Sequence, residues 1–292
     1  MGKSIQLNAY AKINLGLDVI GKRPDGYHEV RMIMQTIGLH DKLSINTIHN
    51  PNIKMKTNLP FLPVNDKNIV YKAVSLIKEK YQIKEGIYIN LKKRIPVSAG
   101  LAGGSTDAAA ALIGMNKLFD LDLSLEDLMD IGVTLGADVP YCLIGGTALS
   151  EGIGEKLTSL PPFPDSNILV VKPNINVSTK KIYGNFDLSK VENHPNIDGI
   201  IAGIKDNNLQ EATNHFANVL ETVTVKMHPK INIIKETMLN QGALTSLMSG
   251  SGPTVFGIFD DNKKAQDAFY HFKTSNFRYR VFLTKPVSSI IS

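Results

Sequence analysis

The chain has 292 residues, 43% of them apolar and 20% charged, with a net charge of +5 and a pI near 9.0. That length supports one large or two smaller domains with a full hydrophobic core, in an ordinary globular mixture. No apolar run approaches the roughly 18 residues of a membrane span, and the single cysteine, Cys142, excludes a disulfide framework and a cysteine metal cluster.

Polar and apolar residues alternate from Ser4 to Tyr10 where a secretory leader would be apolar, so the chain is expected in the cytoplasm. Gly2-Lys3-Ser4 copies the end of a Walker A loop without its upstream glycine or following helix. Met1-Gly2 carries Gln6 where a myristoylation signal needs a hydroxyl. The positive charge fits an anionic ligand. Basic residues are scattered, however, with only short runs such as Lys92-Lys93-Arg94, so neither a nucleic-acid nor a membrane partner is expected.

Strands are predicted at Ile5–Ala9, Ile13–Val19, Val30–Ile37 and Leu43–Thr47 from alternating apolar residues. Within them Lys12 and Asn14 share one face. That face is either a solvated edge or a cation and an amide turned toward an anionic transition state. Pro24-Asp25-Gly26 is a turn, and the adjacent Tyr27-His28 offers a ring to stack and a ring to hydrogen-bond a nucleobase. A helix is predicted from Asn65 or Asp66, followed by a strand over 87–93. The segment Pro96-Val-Ser-Ala-Gly100-Leu-Ala-Gly103-Gly104-Ser105-Thr106-Asp107 then opens into an alanine-rich helix reaching about Phe119. Glycines let backbone approach an anion, and the first amides of a helix have no internal partners, so the segment reads as a phosphate cradle rather than only a strand-to-helix connection.

Ser124 to Asp127 predicts a capping box and a helix to about Leu135. Gly136 ends that helix and leaves Asp138 in an apolar stretch, as a turn former or as a proton acceptor. Pro161, Pro162 and Pro164 are the candidate linker. Beyond it come a strand at Ile168–Val171, a short helix capped by Ser178 or Thr179, and helices near 197–205, 208–220 and 229–240. Two strands flank Ser249-Gly-Ser-Gly-Pro253, read as a hairpin turn or a loop closing over phosphate, and a helix and a last strand, Tyr279–Leu283, follow. Strands and helices mix without βαβ alternation, which predicts two α+β domains, 1–160 and 161–292. The seven histidines show no metal-ligand spacing.

Ala11–Leu15, Pro96–Asp107 and Ser249–Thr254, in this order, resemble the three motifs of the galactokinase–homoserine–mevalonate–phosphomevalonate (GHMP) kinase superfamily. Pro24–His28 and Gly136–Pro140 are similar to its isoprenoid-pathway branch, whose acceptor is a cytidine diphosphate-linked methylerythritol. The resemblance covers essentially the whole chain. It implies an N-terminal domain like domain 2 of ribosomal protein S5, a C-terminal ferredoxin-like domain and an active site in the cleft between them. It implies transfer of the γ-phosphoryl group of ATP with Mg2+, by a monomer or homodimer.

Residue by residue, the resemblance gives Asp138 as the catalytic base and Lys12 as its electrostatic partner. Pro96, Val97, Ser98, Ala99, Gly100, Leu101, Ala102, Gly103, Gly104, Ser105 and Thr106 form the ATP loop, with Asn68 near adenine. Asn14 is expected near the reacting end of the acceptor, and Tyr27, His28 and Tyr183 around cytosine. Ser105, Thr106 and Asp107 are candidates for the magnesium shell. Tyr10 and Ala102 depart from the family, standing where proline and glycine are common. Kinases of homoserine or mevalonate are the rival readings, separated by Tyr27-His28 because their substrates carry no base. A non-catalytic RNA-binding role is opposed by the presence of both Lys12 and Asp138.

Overall fold

The computed structural model describes residues 2–275 and 277–289; Met1 and Ser292, the outer bounds of the expected domains, lie outside them. Two long strands open the chain, β1 (Ser4–Lys22) and β2 (His28–Ile48), where four shorter ones are predicted. Lys12, Asn14, Gln35, Thr36 and Asp41 interrupt the apolar alternation, yet all five are buried inside the strands. They break the pattern without breaking the ladder.

There follow β3 (Ile53–Thr57), α1 (Ile69–Lys80), β4 (Gly86–Lys92), α2 (Gly103–Phe119), α3 (Leu125–Leu135) and α4 (Val139–Ile144). Next come β5 (Thr147–Gly152), β6 (Lys156–Ser159), β7 (Asn167–Lys172), α5 (Thr179–Gly184), α6 (Ile197–Lys205), α7 (Leu209–Asn214) and α8 (Glu221–Met227). The last elements are α9 (Lys230–Asn240), β8 (Thr245–Met248), β9 (Val255–Phe259), α10 (Asn262–Thr274) and β10 (Arg280–Thr284). The mixed α+β class is as expected. The predicted helix over 208–220 instead stops at Asn214, because Asn218 leaves the helical path to form a bridge with Leu17.

Two compact units divide the chain. One comprises the residues up to Ala11, Leu39–Val97 and Ala102–Ile144; the other comprises Lys12–Gly38, Ser98–Leu101 and everything from Gly145. Pro161, Pro162 and Pro164 thus lie inside the second unit, not at a border between compact units. Their segment is tied down: Phe163 is buried, and its N–H donates to Thr147 Oγ1 at 3.1 Å.

In the first unit, β4 pairs antiparallel with Lys42–Ile48 of β2 and parallel with β3. Leu43, Ile45, Ile87, Ile89 and Leu91 bury one face of this sheet. Helix α2 carries buried residues all round its axis, as a helix enclosed by α1, α3 and α4 must. The predicted capping box stands at the start of α3, with Ser124 and Asp127 each accepting the other's backbone N–H. In the second unit, Val30–Gln35 of β2 pairs with β5, and β5 with β6. A separate antiparallel sheet runs β10-β7-β9-β8, with α9 and α10 against it, the two-layer arrangement of a ferredoxin-like domain. No helix among the described residues is long and apolar enough to cross a membrane.

Helix α2 carries the glycine segment at its start, and it is seated on the sheet through Gly114. A Cβ there would stand 2.8 Å from Leu7 Cδ1 and 2.9 Å from Ile45 Cδ1. Gly114→Leu is expected to overpack this contact and lower stability by about 1–3 kcal/mol in urea denaturation.

Candidate active site

The glycine segment is shared between the two units, and its middle, Ser98–Leu101, belongs to the second. There it meets the turn joining β8 to β9. Gly100 has φ +71°, and a Cβ on it would lie 2.2 Å from the Ser249 carbonyl oxygen, so only glycine fits. The Ser249 hydroxyl donates to the Gly100 carbonyl at 2.8 Å. Behind the turn, Asn218 Nδ2 donates to the carbonyls of Met248 and Gly250, both at 2.8 Å. Thr224 Oγ1 donates to the Ser251 carbonyl at 3.2 Å. The turn is therefore both the predicted hairpin and a partner of the cradle.

A cavity of about 480 Å³ opens beside these two turns, lined by Ser98, Gly100, Ser251, Gly252 and residues 176–179. Ser98, Ser178, Thr179 and Ser251 bring four hydroxyls to it, and no charged side chain lines it among the described residues. Hydroxyls and peptide groups fixed in place serve to bind a polar, anionic group at close range. Ser178 caps α5 as expected, and Thr179 and Ser251 share a hydrogen bond of 2.8 Å.

Lys12 and Asn14 are 5% and 0% exposed, which removes the solvated-edge alternative. Lys12 Nζ donates to Asn14 Oδ1 at 2.8 Å, and the Lys12 backbone N–H donates to the Leu101 carbonyl at 3.2 Å. Lysine, asparagine and the cradle thereby form one hydrogen-bonded group. Asn14 Nδ2 lies 3.2 Å from Met32 Sδ, which fixes the amide's orientation.

Tyr27 is exposed, while His28 and Tyr183 pack with ring centroids 5.1 Å apart. Phe186 adds an edge contact to His28 at 6.2 Å. Phe186 is absent from the sequence reading because it lies beyond the end of α5, where no periodicity places it. Burial, and then the nearby Lys22 charge, hold His28 below the ordinary histidine range. The imidazole is thus neutral near pH 7 and can both donate and accept.

The other expected site residues belong to the first unit. Ala102 has φ +54°, in the left-handed region, and occupies the N-cap of α2 without a side-chain cap. The first amides of α2 are consequently left without a side-chain capping partner. Ser105 and Thr106 fall in the first helical turn rather than at the cap, with Ser105 half-buried and Thr106 buried. Asp107 is deeper still. Its Oδ2 accepts from Lys93 Nζ at 2.6 Å, and its Oδ1 has no hydrogen-bond partner among the described residues. Burial raises the Asp107 carboxyl well above the ordinary carboxylate range against the pull of the Lys93 ammonium, with the Asp41 charge adding to the rise.

Lys93 Nζ also forms an ion pair with Asp41 and donates to the Gly103 carbonyl at 3.2 Å. Asn68 is the N-cap of α1: its Oδ1 accepts from Val70 N–H at 3.0 Å, and its Nδ2 donates to the Pro63 carbonyl at 2.8 Å. Asp138 is half-buried and directly precedes α4, a helix hidden from sequence reasoning by its length of six residues and its Pro140. Its carbonyl accepts from Cys142 N–H at 3.1 Å.

The family model of the GHMP kinases N terminal domain matches residues 68–146, and that of the GHMP kinases C terminal domain matches 194–277. Over 96% of its length the chain is 59% identical to the 4-diphosphocytidyl-2-C-methyl-D-erythritol kinase of Lachnoclostridium phytofermentans, covering 97% of that protein. A crystal structure of 4-(cytidine 5'-diphospho)-2C-methyl-D-erythritol kinase matches with a TM-score of 0.82 at 29% identity, over 97% of this chain and 99% of that one. The homoserine kinase from Cytophaga hutchinsonii matches with a TM-score of 0.75 at 20% identity, over 98% and 96% of the two chains, a likeness of fold alone. The fold and both family models are those of a GHMP kinase, a class of small-molecule kinases. Within that class, the chain belongs to the 4-diphosphocytidyl-2-C-methyl-D-erythritol kinase family.

The left-handed Ala102 costs about 1–2 kcal/mol, of which glycine's greater unfolded freedom returns only part. Ala102→Gly is accordingly expected to raise stability by up to about 1 kcal/mol in urea denaturation. His28 is expected to titrate below 6.5 by NMR. Lys22→Gln should move its midpoint up only partway, because burial is the larger cause. Since the unfolded chain takes up that proton first, acidification through pH 6.5 favours unfolding.

Proposed function

We propose that this chain transfers the γ-phosphoryl group of ATP to the 2-hydroxyl of 4-diphosphocytidyl-2-C-methyl-D-erythritol, in the non-mevalonate route to isoprenoid precursors. The observation that carries the reading is the hydrogen-bonded group of Lys12, Asn14 and the cradle, accompanied in the same unit by the His28–Tyr183 aromatic pair. A phosphate subsite and a base subsite are what a cytidine diphosphate-linked acceptor and ATP together require. Homoserine and mevalonate would leave the aromatic pair without a task.

In this reading residues 96–106 form the ATP loop, and its backbone N–H groups from Val97 onward hold the phosphates, aided by the start of α2. Asn68 lies near adenine in this reading, its side chain also fixing the Pro63 carbonyl and the first turn of α1. Asp138 accepts the proton of the attacking hydroxyl, and Lys12 favours its ionised form and offsets charge on the phosphoryl group in flight. Asn14, held by Lys12 and Met32, orients the acceptor near that hydroxyl. Tyr27 and Tyr183 stack on cytosine, and neutral His28 hydrogen-bonds its edge.

Magnesium neutralises phosphate charge when bound. Among the described residues no group of three or more His, Cys, Asp or Glu could hold a metal. That suits an ion carried chiefly by the nucleotide's own oxygens. The half-buried Ser105 hydroxyl is the residue that would complete its shell, since Asp107 is taken by Lys93. The two family models fall on either side of the proline segment, which supports 1–160 and 161–292 as the inherited domains. The reaction is placed in the cytoplasm, catalysed by a monomer or homodimer.

A coupled ADP-release assay tests the proposal. Turnover is expected with the cytidine diphosphate-linked acceptor and none with homoserine or mevalonate; the reverse preference would overturn the assignment. Asp138→Asn is expected to lower kcat by about 10²–10⁴-fold with ATP binding retained. Turnover like that of the wild type would remove Asp138 from the mechanism.

A further inference from the structure

We infer that Lys93, held between Asp41 and Asp107, is a positioning residue that clamps both stems of the glycine segment and so sets its affinity for ATP. The inference rests on the reading of that segment as the ATP loop. The clamping contacts themselves all lie within the first unit.

The contacts of the triad converge on the two ends of the loop. At the entry, Asp41 Oδ1 accepts from the backbone N–H of Arg94 and, at 2.8 Å, from that of Ile95, immediately before Pro96. At the exit, Lys93 Nζ donates to the Gly103 carbonyl at 3.2 Å and to Asp107 Oδ2 at 2.6 Å. The ion pair between Lys93 and Asp41 ties the entry to the exit. Residues 96–102 are thus suspended between two fixed points.

Space is reserved for this arrangement. A Cβ on Gly103 would come within 2.9 Å of Ile95 Cγ2 and 3.3 Å of Lys93 Nζ. Gly103 is needed here for closeness to the clamp, whatever its later role toward phosphate.

Stability alone is a poor reason for the triad. The side chains of Lys93, Asp41 and Asp107 are 5%, 0% and 3% exposed, so three ionisable groups are withdrawn from water. Well-packed apolar residues usually serve folding as well as a buried ion pair does. A charged group does something they cannot, which is to hold named carbonyls and amides at hydrogen-bond distance and direction. Among the described residues Asp107 Oδ1 has no hydrogen-bond partner, so the carboxyl is held through Oδ2 alone.

Lys93→Met is the direct test, read by hydrogen–deuterium exchange and by steady-state kinetics. Exchange at residues 94–104 is expected to quicken by about tenfold while the β7–β10 sheet keeps its protection. The KM for ATP should rise by about tenfold with the acceptor KM within about twofold of its starting value. Unchanged loop exchange in a folded variant overturns the clamp, and so does a parallel rise of both KM values. Should Lys93→Met fail to fold, Asp107→Asn keeps the side chain's size and an oxygen for the ammonium, and the same split is expected in weaker form. Unchanged exchange and ATP KM in Asp107→Asn would equally sink the idea. Titration of ATP onto the wild-type protein isolates the kinase reading: no ATP binding removes that reading, while the exchange measurement still decides the clamp.

Discussion

Two turns of backbone in the second unit approach each other so closely that one of them cannot carry a side chain. At Gly100 a single methyl group would lie 2.2 Å from the Ser249 oxygen. That approach turns two flexible glycine-containing segments into one surface, and the neighbouring residues follow from it. Ser249 spends its hydroxyl on the Gly100 carbonyl, and Asn218 and Thr224 anchor the far side of the turn. The Lys12 amide completes the set by holding the Leu101 carbonyl. Glycine supplies closeness at a cost in unfolded-state entropy, and these hydrogen bonds restore the rigidity that glycine alone would lack.

The second unit holds two groups of residues that differ physically. The cavity beside the turns is hydroxylic and free of lining charge, suited to donating short hydrogen bonds to oxygen. The His28, Tyr183 and Phe186 cluster is apolar in bulk with a neutral polar edge, suited to a flat ring. Under the proposed function, the first would discriminate weakly among phosphates and the second would select an acceptor that carries a base, so affinity for charge and choice of substrate would fall to different residues.

Much of this was legible in the sequence. Ser124 to Asp127 announced a helix start, Ser178 announced α5, and the glycine segment announced α2 with its correct end at Phe119. Each of these signals is local, set by caps and turns within a few residues. The spacing of Lys12 and Asn14 placed them on one face but left open whether that face was wet, because burial depends on distant chain. The same limit hid β5, β6 and Phe186, whose positions are fixed by partners far along the chain. The clamp was hidden more thoroughly. Asp41 and Lys93 look like ordinary surface charges until β2 and β4 pair and bring them beside Asp107. Ala102 was readable as a departure from glycine, and its φ of +54° gives the reason for that glycine.

The order in which the two units claim the chain bears on how the protein is made. The second unit takes Lys12–Gly38 near the start, four residues near position 100, and then the rest from Gly145 onward. Its last strand, β10, pairs with β7 more than a hundred residues earlier. A ribosome therefore delivers the first unit whole while Lys12–Gly38 still waits for partners not yet synthesised. During that interval the apolar residues of β1 beyond Ala11 lack the later partners that bury them in the complete fold, such as the Ala217–Val219 stretch beside Leu17. A chain ending at the proline segment would lack the β8–β9 turn that Gly100 packs against, so its glycine segment would be without the partner that fixes it.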